Sequence, residues 1–269
     1  MPEGPECHYT AHRLNKSLQD KRLISIKVLG GRYEKHGPPS GLQELQESLS
    51  SQHVTIRGVC AKGKLIYFLL SNHQVILSTL GLKGSWTQKY AKHCDVVIEA
   101  VEPSVTFWFK DQLHYGTLNI IALTDLPKKL DTLGPDVTLG GETLPDWVEM
   151  CRKHESWQIS KFLMAQNKVS GIGNYLKAEV LYASRICPHS AIGDLSDEQL
   201  LNLKEQLLTI PVQSYRAKRR IGPSCPLKVY NRKTDPHGNI VVKTKTLDGR
   251  NSHWVPAIQD PESKYMKSS

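Results

Sequence analysis

The first residues of the chain have the composition of a catalytic amine site. If Met1 is removed, Pro2 presents a secondary α-amine, and an α-amino group has a pKa of about 7.7–8.0, against roughly 10.4 for lysine. A helix starting nearby would lower that pKa further, because its positive end disfavours a cation. A neutral amine can attack the C1′ atom of a sugar and form a Schiff base, while Glu3 supplies or removes protons. The alternative is that this segment only starts a helix.

A glycine-rich turn in the second half of the chain could bind an anion. Residues 170–174 read SGIGN and interrupt two helical segments. Such a turn leaves backbone N–H groups unpaired at the start of the second helix, where the helix dipole favours a phosphate. Asn174 has a suitable side chain to be the N-cap of that helix. An ordinary turn between two helices is the alternative.

Basic residues are concentrated near the C-terminus. Between Pro226 and Arg250, two β-prone runs flank the sequence DPHGN, which predicts a hairpin there. This segment carries six lysines and arginines against two aspartates, so it could lie along a DNA backbone. A solvated edge hairpin fits the pattern equally well. The run RAKRR at 216–220 reads as a solvated face, with a disordered contact loop or a nuclear import signal as alternatives.

The spacing of apolar residues divides the chain into parts. Short, often alternating apolar runs fill the first half and predict an antiparallel sandwich or barrel, preceded by one helix. Helical patterns follow, including a capping box formed by Ser196 and Gln199. The predicted parts are a β domain (1–125), a turn-rich linker (126–150), a helical domain (151–225), a hairpin (226–259) and a flexible tail (260–269).

The composition favours a partner that carries many negative charges. The chain has 269 residues, with 35 Lys and Arg against 26 Asp and Glu, and a formal net charge of +9. This excess favours a nucleic acid or an anionic membrane surface. No run approaches the roughly 18 apolar residues of a membrane span, and the N-terminus lacks the apolar block of a signal peptide. We therefore expect a soluble, intracellular protein. We also expect a monomer without a cofactor, located in the nucleus or in a viral or cytoplasmic DNA compartment, depending on the host.

Six features occur together in one order along the chain. They are MPEGPE (1–6), KGK (62–64), LGLKGSW (80–86), LGPD (133–136), SGIGNYLKAEVLY (170–182) and the basic hairpin. This combination resembles the formamidopyrimidine-DNA glycosylase/endonuclease VIII (Fpg/Nei) family over nearly the whole chain. The resemblance implies an α+β fold: an N-terminal antiparallel β-sandwich with a flanking helix, and a C-terminal helical domain with a helix–two-turns–helix motif. It also implies that damaged DNA binds in the cleft between them, and that oxidised bases are excised in base excision repair before the strand is nicked by β- or β,δ-elimination.

The resemblance assigns roles to particular residues. Pro2 matches the Schiff-base nucleophile, and Glu3 matches the acid/base acting at the sugar ring oxygen. Glu6 would be a supporting carboxylate. Lys64 matches the lysine that assists β-elimination and contacts the DNA backbone, whereas without the resemblance it would be an ordinary strand-entry lysine. Asn174 matches the phosphate-binding asparagine of the two-turn motif.

The C-terminal hairpin departs from the pattern of most relatives, which carry a four-cysteine zinc finger. The six cysteines of this chain are scattered without a C-x-x-C pair, and Cys225 alone precedes the hairpin. His237 and His253 lack partners at zinc-ligand spacing. The hairpin therefore resembles the zincless finger of animal endonuclease VIII-like enzymes and of a giant-virus group, and Arg250 takes the place of the finger arginine that grips phosphate and assists δ-elimination. We predict no metal, and free thiols, although an even number of cysteines leaves disulfides open.

A second departure concerns the three residues that fill the space of an extruded base. The family commonly has Met, Arg and Phe, and here Leu82, Leu113 and Tyr115 occupy the corresponding positions. Apolar side chains can still hold an unstacked base step open, although the loss of the arginine would weaken discrimination of the opposite base. The alternative is that the three residues only pack in the protein.

Two other classes of function remain open at this point. A non-catalytic relative could bind damaged or abasic DNA without cutting it, and an RNA-binding protein could share only the helical motif. Pro2, Glu3 and Lys64 together favour the enzyme, because a binding protein has no use for an amine and a carboxylate at the terminus. The sequence names neither the lesion nor the residue within SYRAKRRIGPSCPL (214–227) that faces the base.

Overall fold

The computed structural model describes residues 2–140, 144–260 and 262. The chain divides into two compact units, Met1–Thr132 and Leu133–Ser269. Each unit encloses an apolar core of its own, as expected for domains of this size. The first is a β-sandwich with flanking helices and the second is mainly helical, which confirms the predicted α+β class.

The described part of the N-terminal unit is built from two antiparallel sheets of four strands each, with helices beside them. The elements of this unit are α1 (Gly4–Leu18), β1 (Arg22–Val28), α2 (Arg32–His36), α3 (Leu42–Ser51), β2 (Ile56–Lys62), β3 (Leu65–Leu70), β4 (Gln74–Thr79), β5 (Ser85–Thr87), β6 (Cys94–Val101), β7 (Val105–Lys110), β8 (Thr117–Ala122) and α4 (Leu126–Asp131). One sheet has the order β1-β6-β7-β5 and the other β2-β3-β4-β8.

Aromatic side chains join the two sheets of the sandwich. The ring of Trp86 on β5 lies 5.5 Å from that of Phe68 on β3 and 5.3 Å from that of Phe109 on β7, between ring centroids. All three side chains are buried. Tilted and edge-to-face ring pairs of this kind stabilise a core beyond the area that they bury. The three side chains lie on the inner faces of the two sheets, where alternating apolar residues of a sandwich are expected.

In the described part of the C-terminal unit, four helices pack around a second core, and a strand pair and a fifth, short helix complete the unit. Its elements are α5 (Trp147–Arg152), α6 (Ile159–Met164), α7 (Asn174–Ala183), α8 (Asp197–Lys218), β9 (Val242–Lys245), β10 (Asn251–Trp254) and α9 (Pro256–Gln259). Helix α8 begins with the predicted capping box: Gln199 N–H donates to Ser196 Oγ, and Ser196 N–H donates to Gln199 Oε1. Among the described residues, no helix combines the length and apolar content needed to cross a membrane.

Two stretches contain helix where the sequence analysis did not place it. Helix α8 extends to Lys218, so the first part of RAKRR is the partly to fully exposed end of a helix, which agrees with the predicted solvated face and not with the alternative of a disordered loop. The stretch predicted as a linker contains α4 and the start of α5, where Trp147 is buried and donates to Leu200 O. Of the predicted flexible tail, Asp260 and Glu262 belong to the described residues and the others lie outside them.

The C-terminal hairpin has its strand ladder in a different place from the prediction. The paired strands are β9 and β10, which flank residues 246–250 rather than DPHGN. The DPHGN sequence does form a tight turn, because the Asp235 carboxylate accepts from the backbone N–H groups of His237 and Asn239. The Tyr182 hydroxyl also donates to Asp235, and burial together with this carboxylate raises the pKa of Tyr182 to about 12. An antiparallel bridge between Thr234 and Ile240 flanks this turn, so the predicted hairpin turn is present. The longer strand pair that follows it was missed, because its own turn carries the same glycine and aspartate signals.

A buried carboxylate attaches the segment before the hairpin to helix α7. The Glu179 side chain accepts from the backbone N–H groups of Lys228, Val229 and Tyr230 at 2.8, 3.0 and 2.9 Å. Glu179 is only 5% exposed and Val229 is fully buried, so water cannot readily replace the carboxylate as the acceptor for Val229 N–H.

Replacing the Glu179 carboxylate tests how much it contributes to the stability of the fold. In a Glu179→Ala variant, three backbone N–H groups lose their acceptor, including that of the buried Val229, and we expect the free energy of unfolding to fall by about 3 kcal/mol. The control is Glu205→Ala on the exposed side of α8, which should change it by less than about 0.5 kcal/mol. Urea unfolding followed by circular dichroism provides the measurement. Equal stability of the two variants would contradict the assignment.

Candidate active site

The start of helix α1 is held by two carboxylates. Glu3 is the N-cap residue with extended backbone (φ −120°, ψ −170°), and it forms a reciprocal capping box with Glu6. In that box Glu3 N–H donates to Glu6 Oε2 at 2.9 Å. Glu3 is fully buried, whereas Pro2, directly before the cap, is partly exposed. Met1 lies outside the described residues, so its removal stays a prediction.

Helix α1 lies against the strands that carry Lys64. It packs on β2 and β3, and Val59 N–H on β2 donates to Asn15 Oδ1 at 2.7 Å. Lys64 sits in the two-residue turn that joins these strands. Gly63 precedes it with φ 54°, a conformation that favours glycine at the first position of such hairpin turns. The nucleophile and the lysine assigned by resemblance therefore belong to one packed substructure.

The three candidate space-filling residues lie on two loops that touch each other. Leu113 and Tyr115 belong to the β7–β8 loop and are 38% and 61% exposed, and Leu82 belongs to the loop before β5. A Cβ atom at Gly81 would lie 2.6 Å from Gly116 N and 2.7 Å from the Tyr115 carbonyl carbon. This close approach of the two backbones brings the three residues together.

The β7–β8 loop is anchored by a buried aspartate that the sequence analysis did not identify. Asp111 is fully buried and accepts from Leu113 N–H at 3.2 Å and from Gly116 N–H at 2.6 Å. A second carboxylate, Asp95, accepts from His114 Nδ1 at 2.9 Å. Burial raises the pKa of Asp95, and the hydrogen bond from His114 opposes that rise. The available signal was an aspartate followed by turn residues in KDQLHYG.

Asn174 occupies a different position from the predicted one. The N-cap of α7 is Gly173 in extended backbone (φ −129°, ψ −159°), and Asn174 is the first helical residue. Its Nδ2 donates to the carbonyl oxygen of Asn251 at 3.0 Å, and its Oδ1 is buried without a hydrogen-bond partner. Because Asn251 directly follows Arg250, this hydrogen bond places Asn174 close to the backbone of Arg250 in the C-terminal unit.

No metal-binding cluster is present in the part of the chain that the structure describes: no three His, Cys, Asp or Glu side chains converge there. The six cysteines are all free. His253 of the hairpin and His189, which lies between α7 and α8, pack against aromatic rings instead: His253 is 4.8 Å from Tyr230 and His189 is 5.6 Å from Trp254 between ring centroids. Burial lowers the pKa of both histidines. The absence of zinc stays a prediction.

Comparisons with known proteins agree on one family. Residues 1–118 match the formamidopyrimidine-DNA glycosylase N-terminal domain, and residues 133–219 match the formamidopyrimidine-DNA glycosylase H2TH domain. A protein named endonuclease 8 from Escherichia coli O17:K52:H18 is 29% identical, over 96% of this chain and 100% of that protein. Another endonuclease 8, from Pectobacterium carotovorum, is 27% identical over the same shares.

Solved structures share the fold. The crystal structure of Lactococcus lactis formamidopyrimidine-DNA glycosylase, non-covalently bound to DNA with an AP site, superposes with a TM-score of 0.81 at 24% identity, and covers 96% of this chain and 99% of that one. A complex of the same enzyme with DNA containing N7-benzyl-Fapy-dG gives a TM-score of 0.82 at 23% identity, with 96% and 100% covered.

The role of Asp111 can be tested by hydrogen exchange. In an Asp111→Ala variant, the amides of Leu113 and Gly116 lose their acceptor, so we expect the exchange of residues 111–116 to become at least about tenfold faster. Mass spectrometry of peptides covering the loop gives the rate. Asp131→Ala, at the exposed end of α4, is the matched control and should leave the loop unchanged. Unaltered exchange in Asp111→Ala would refute the anchoring role.

Proposed function

This chain belongs to the Fpg/Nei family of DNA glycosylases/AP lyases, and from that membership we propose that it removes oxidised bases through a Schiff base on Pro2 and then nicks the strand by β,δ-elimination. Its substrate is damaged DNA, and it acts in base excision repair. The observation that carries the proposal is the start of α1, where Pro2 directly precedes a helix capped by the buried Glu3. A secondary amine at the positive end of a helix is favoured in its neutral, nucleophilic form.

The glycosylase step joins Pro2 to the sugar. The Pro2 nitrogen attacks C1′ with its lone pair, and the base leaves with the electron pair of the broken C1′–N bond. The Pro2 nitrogen loses its proton, and the departing base takes one up. Glu3 protonates the ring oxygen as the sugar opens, which leaves a cationic Schiff base between Pro2 and C1′. The base must leave the stack for this attack to occur, and Leu82, Leu113 and Tyr115 fill the space it leaves.

The lyase steps use the Schiff base as an electron sink. Loss of the C2′ proton, assisted by Lys64, expels the 3′ phosphate by β-elimination. A second elimination, for which Arg250 grips the remaining phosphate, expels the 5′ phosphate and leaves a gap with phosphates at both ends. Asn174, at the start of α7, contributes to phosphate binding where helix N–H groups favour an anion. These steps explain why the hairpin carries an arginine at the end of its turn.

The two alternative functions have weaker support. An RNA-binding protein that shared only the helical motif would not match the glycosylase N-terminal domain over residues 1–118. A non-catalytic DNA-binding relative would have no use for an amine beside a carboxylate at the terminus, although the capping box alone accounts for the burial of Glu3. Borohydride trapping therefore separates this alternative from the enzyme.

Borohydride trapping tests the nucleophile. With a duplex that contains an abasic site, we expect a covalent adduct of the native protein, and no adduct when a short peptide extends the N-terminus, because the extension turns the Pro2 amine into an amide. The same peptide at the C-terminus should leave trapping intact. Glu3→Gln should still be trapped on an abasic site but excise an oxidised base about 10²–10⁴-fold more slowly. An adduct with the N-terminally extended protein contradicts the proposal, and tight binding without any adduct would favour the non-catalytic relative.

The δ-elimination step tests Arg250. In an Arg250→Ala variant, the β-product should accumulate while trapping persists, because only the grip on the remaining phosphate is lost. Lys204→Ala on α8, which has no proposed role at the DNA, is the control. Denaturing gels separate the β- and δ-products. Unchanged formation of the δ-product would remove Arg250 from the mechanism.

A further inference from the structure

A fully buried ion pair connects helix α7 to the hairpin turn that carries Arg250. Lys177 Nζ lies 2.6 Å from Asp248 Oδ2, and the two side chains are 0% and 4% exposed. Burying two charges costs more than an apolar pair of the same volume unless the geometry is good and the remaining donors and acceptors are satisfied. A buried ion pair is therefore weak evidence for added stability, and its best-attested use is to fix one geometry.

The turn between β9 and β10 is folded around the Asp248 carboxylate. Its Oδ1 accepts from the Thr246 hydroxyl and from the backbone N–H of Arg250, the latter at 3.4 Å. Thr246 N–H donates to Arg250 O, and Gly249 N–H donates to Thr246 O, both at 2.9 Å. One carboxylate thus orders the backbone on both sides of itself and reaches Lys177 with its other oxygen.

Two further side chains from the helical part hold the neighbours of this turn. Gln158 Oε1 accepts from Leu247 N–H at 2.7 Å, and Asn174 Nδ2 donates to Asn251 O at 3.0 Å. Together with Lys177, these contacts reach residues before and after Arg250, which is itself exposed. The backbone of Arg250 is therefore positioned relative to the start of α7.

We propose that Lys177 and Asp248 are positioning residues for the second elimination: their buried ion pair holds the turn so that Arg250 is placed beside the phosphate-binding start of α7. The proposal rests on the δ-elimination role given to Arg250 above. It follows that loss of the ion pair impairs δ-elimination and leaves Schiff-base formation and β-elimination intact, because those steps use Pro2, Glu3 and Lys64 of the other unit.

The test uses a double variant that removes both charges and keeps the volume, Lys177→Met/Asp248→Asn. A single substitution would leave an unpaired buried charge and destabilise the fold. On a duplex with a preformed abasic site, under single turnover, we expect trapping and β-elimination within about twofold of the native protein. The δ step should slow by about tenfold or more, since a displacement of about 1 Å can cost about 100-fold in rate. Lys204→Met on α8 is the matched control and should leave all three unchanged.

Two further variants keep the proposal falsifiable if the double variant does not fold. Lys177→Arg retains a cation that can pair with the carboxylate and should restore the δ rate to within about threefold of native. Thr246→Val keeps the shape but removes a hydroxyl from Asp248 Oδ1, and it should slow only the δ step. A native δ rate in the double variant, or in Thr246→Val where the double variant is unfolded, overturns the proposal.

Arg250→Ala, measured in parallel, separates this inference from the proposed function. If Arg250→Ala leaves the δ-product unchanged, the assignment of Arg250 fails, and the positioning role of Lys177 and Asp248 fails with it. If Arg250→Ala blocks the δ step while the folded double variant does not, only the role of Lys177 and Asp248 is refuted. Loss of trapping in the folded double variant would contradict the inference in another way, since it would show an effect on the whole reaction.

Discussion

The hydrogen bond from Glu3 N–H to the Glu6 carboxylate is the interaction on which the proposed chemistry depends. It starts α1 at Gly4 and leaves Pro2 just outside the helix, at its positive end. Because Glu3 is both the cap and the proposed acid/base, one pair of carboxylates orders the backbone and supplies the proton. A helix that began one residue earlier or later would separate the amine from the carboxylate.

Buried carboxylates accept backbone N–H groups at two loops that carry candidate residues and at the approach to the hairpin. Asp111 accepts two backbone N–H groups beneath the β7–β8 loop, Glu179 accepts three at the approach to the hairpin, and Asp248 organises the Arg250 turn. Charged acceptors make stronger hydrogen bonds than neutral ones, and exposed loops need such anchors to present side chains in one geometry. In each case the anchor is buried and the presented residue is partly or fully exposed.

The burial of these acidic side chains also affects the charge of the protein surface. Among the described residues, the buried charged side chains are one lysine, Lys177, and eight carboxylates: Glu3, Asp95, Asp111, Asp136, Glu179, Asp235, Asp248 and Asp260. The surface is therefore more basic than the formal charge of +9 indicates. A basic exterior attracts a polyanion from a distance, which agrees with DNA as the proposed substrate.

The sandwich and the capping box at Ser196 were predictable from the sequence, because alternation and capping are local patterns. The Lys177–Asp248 pair was not, since its partners are 71 residues apart, and Asn174 was misplaced as an N-cap because its amide binds Asn251 on β10 instead.

The central claim is that the reactive amine belongs to Pro2, and peptide mapping tests it most directly. The protein is trapped on an abasic duplex with borohydride, digested with a nuclease and a protease, and the modified peptide is sequenced by mass spectrometry. The account predicts that the sugar remnant is attached to the nitrogen of a peptide that begins at Pro2, with Met1 removed. A remnant on Lys64 or on any other lysine, or a trapped peptide that still begins with Met1, would contradict it.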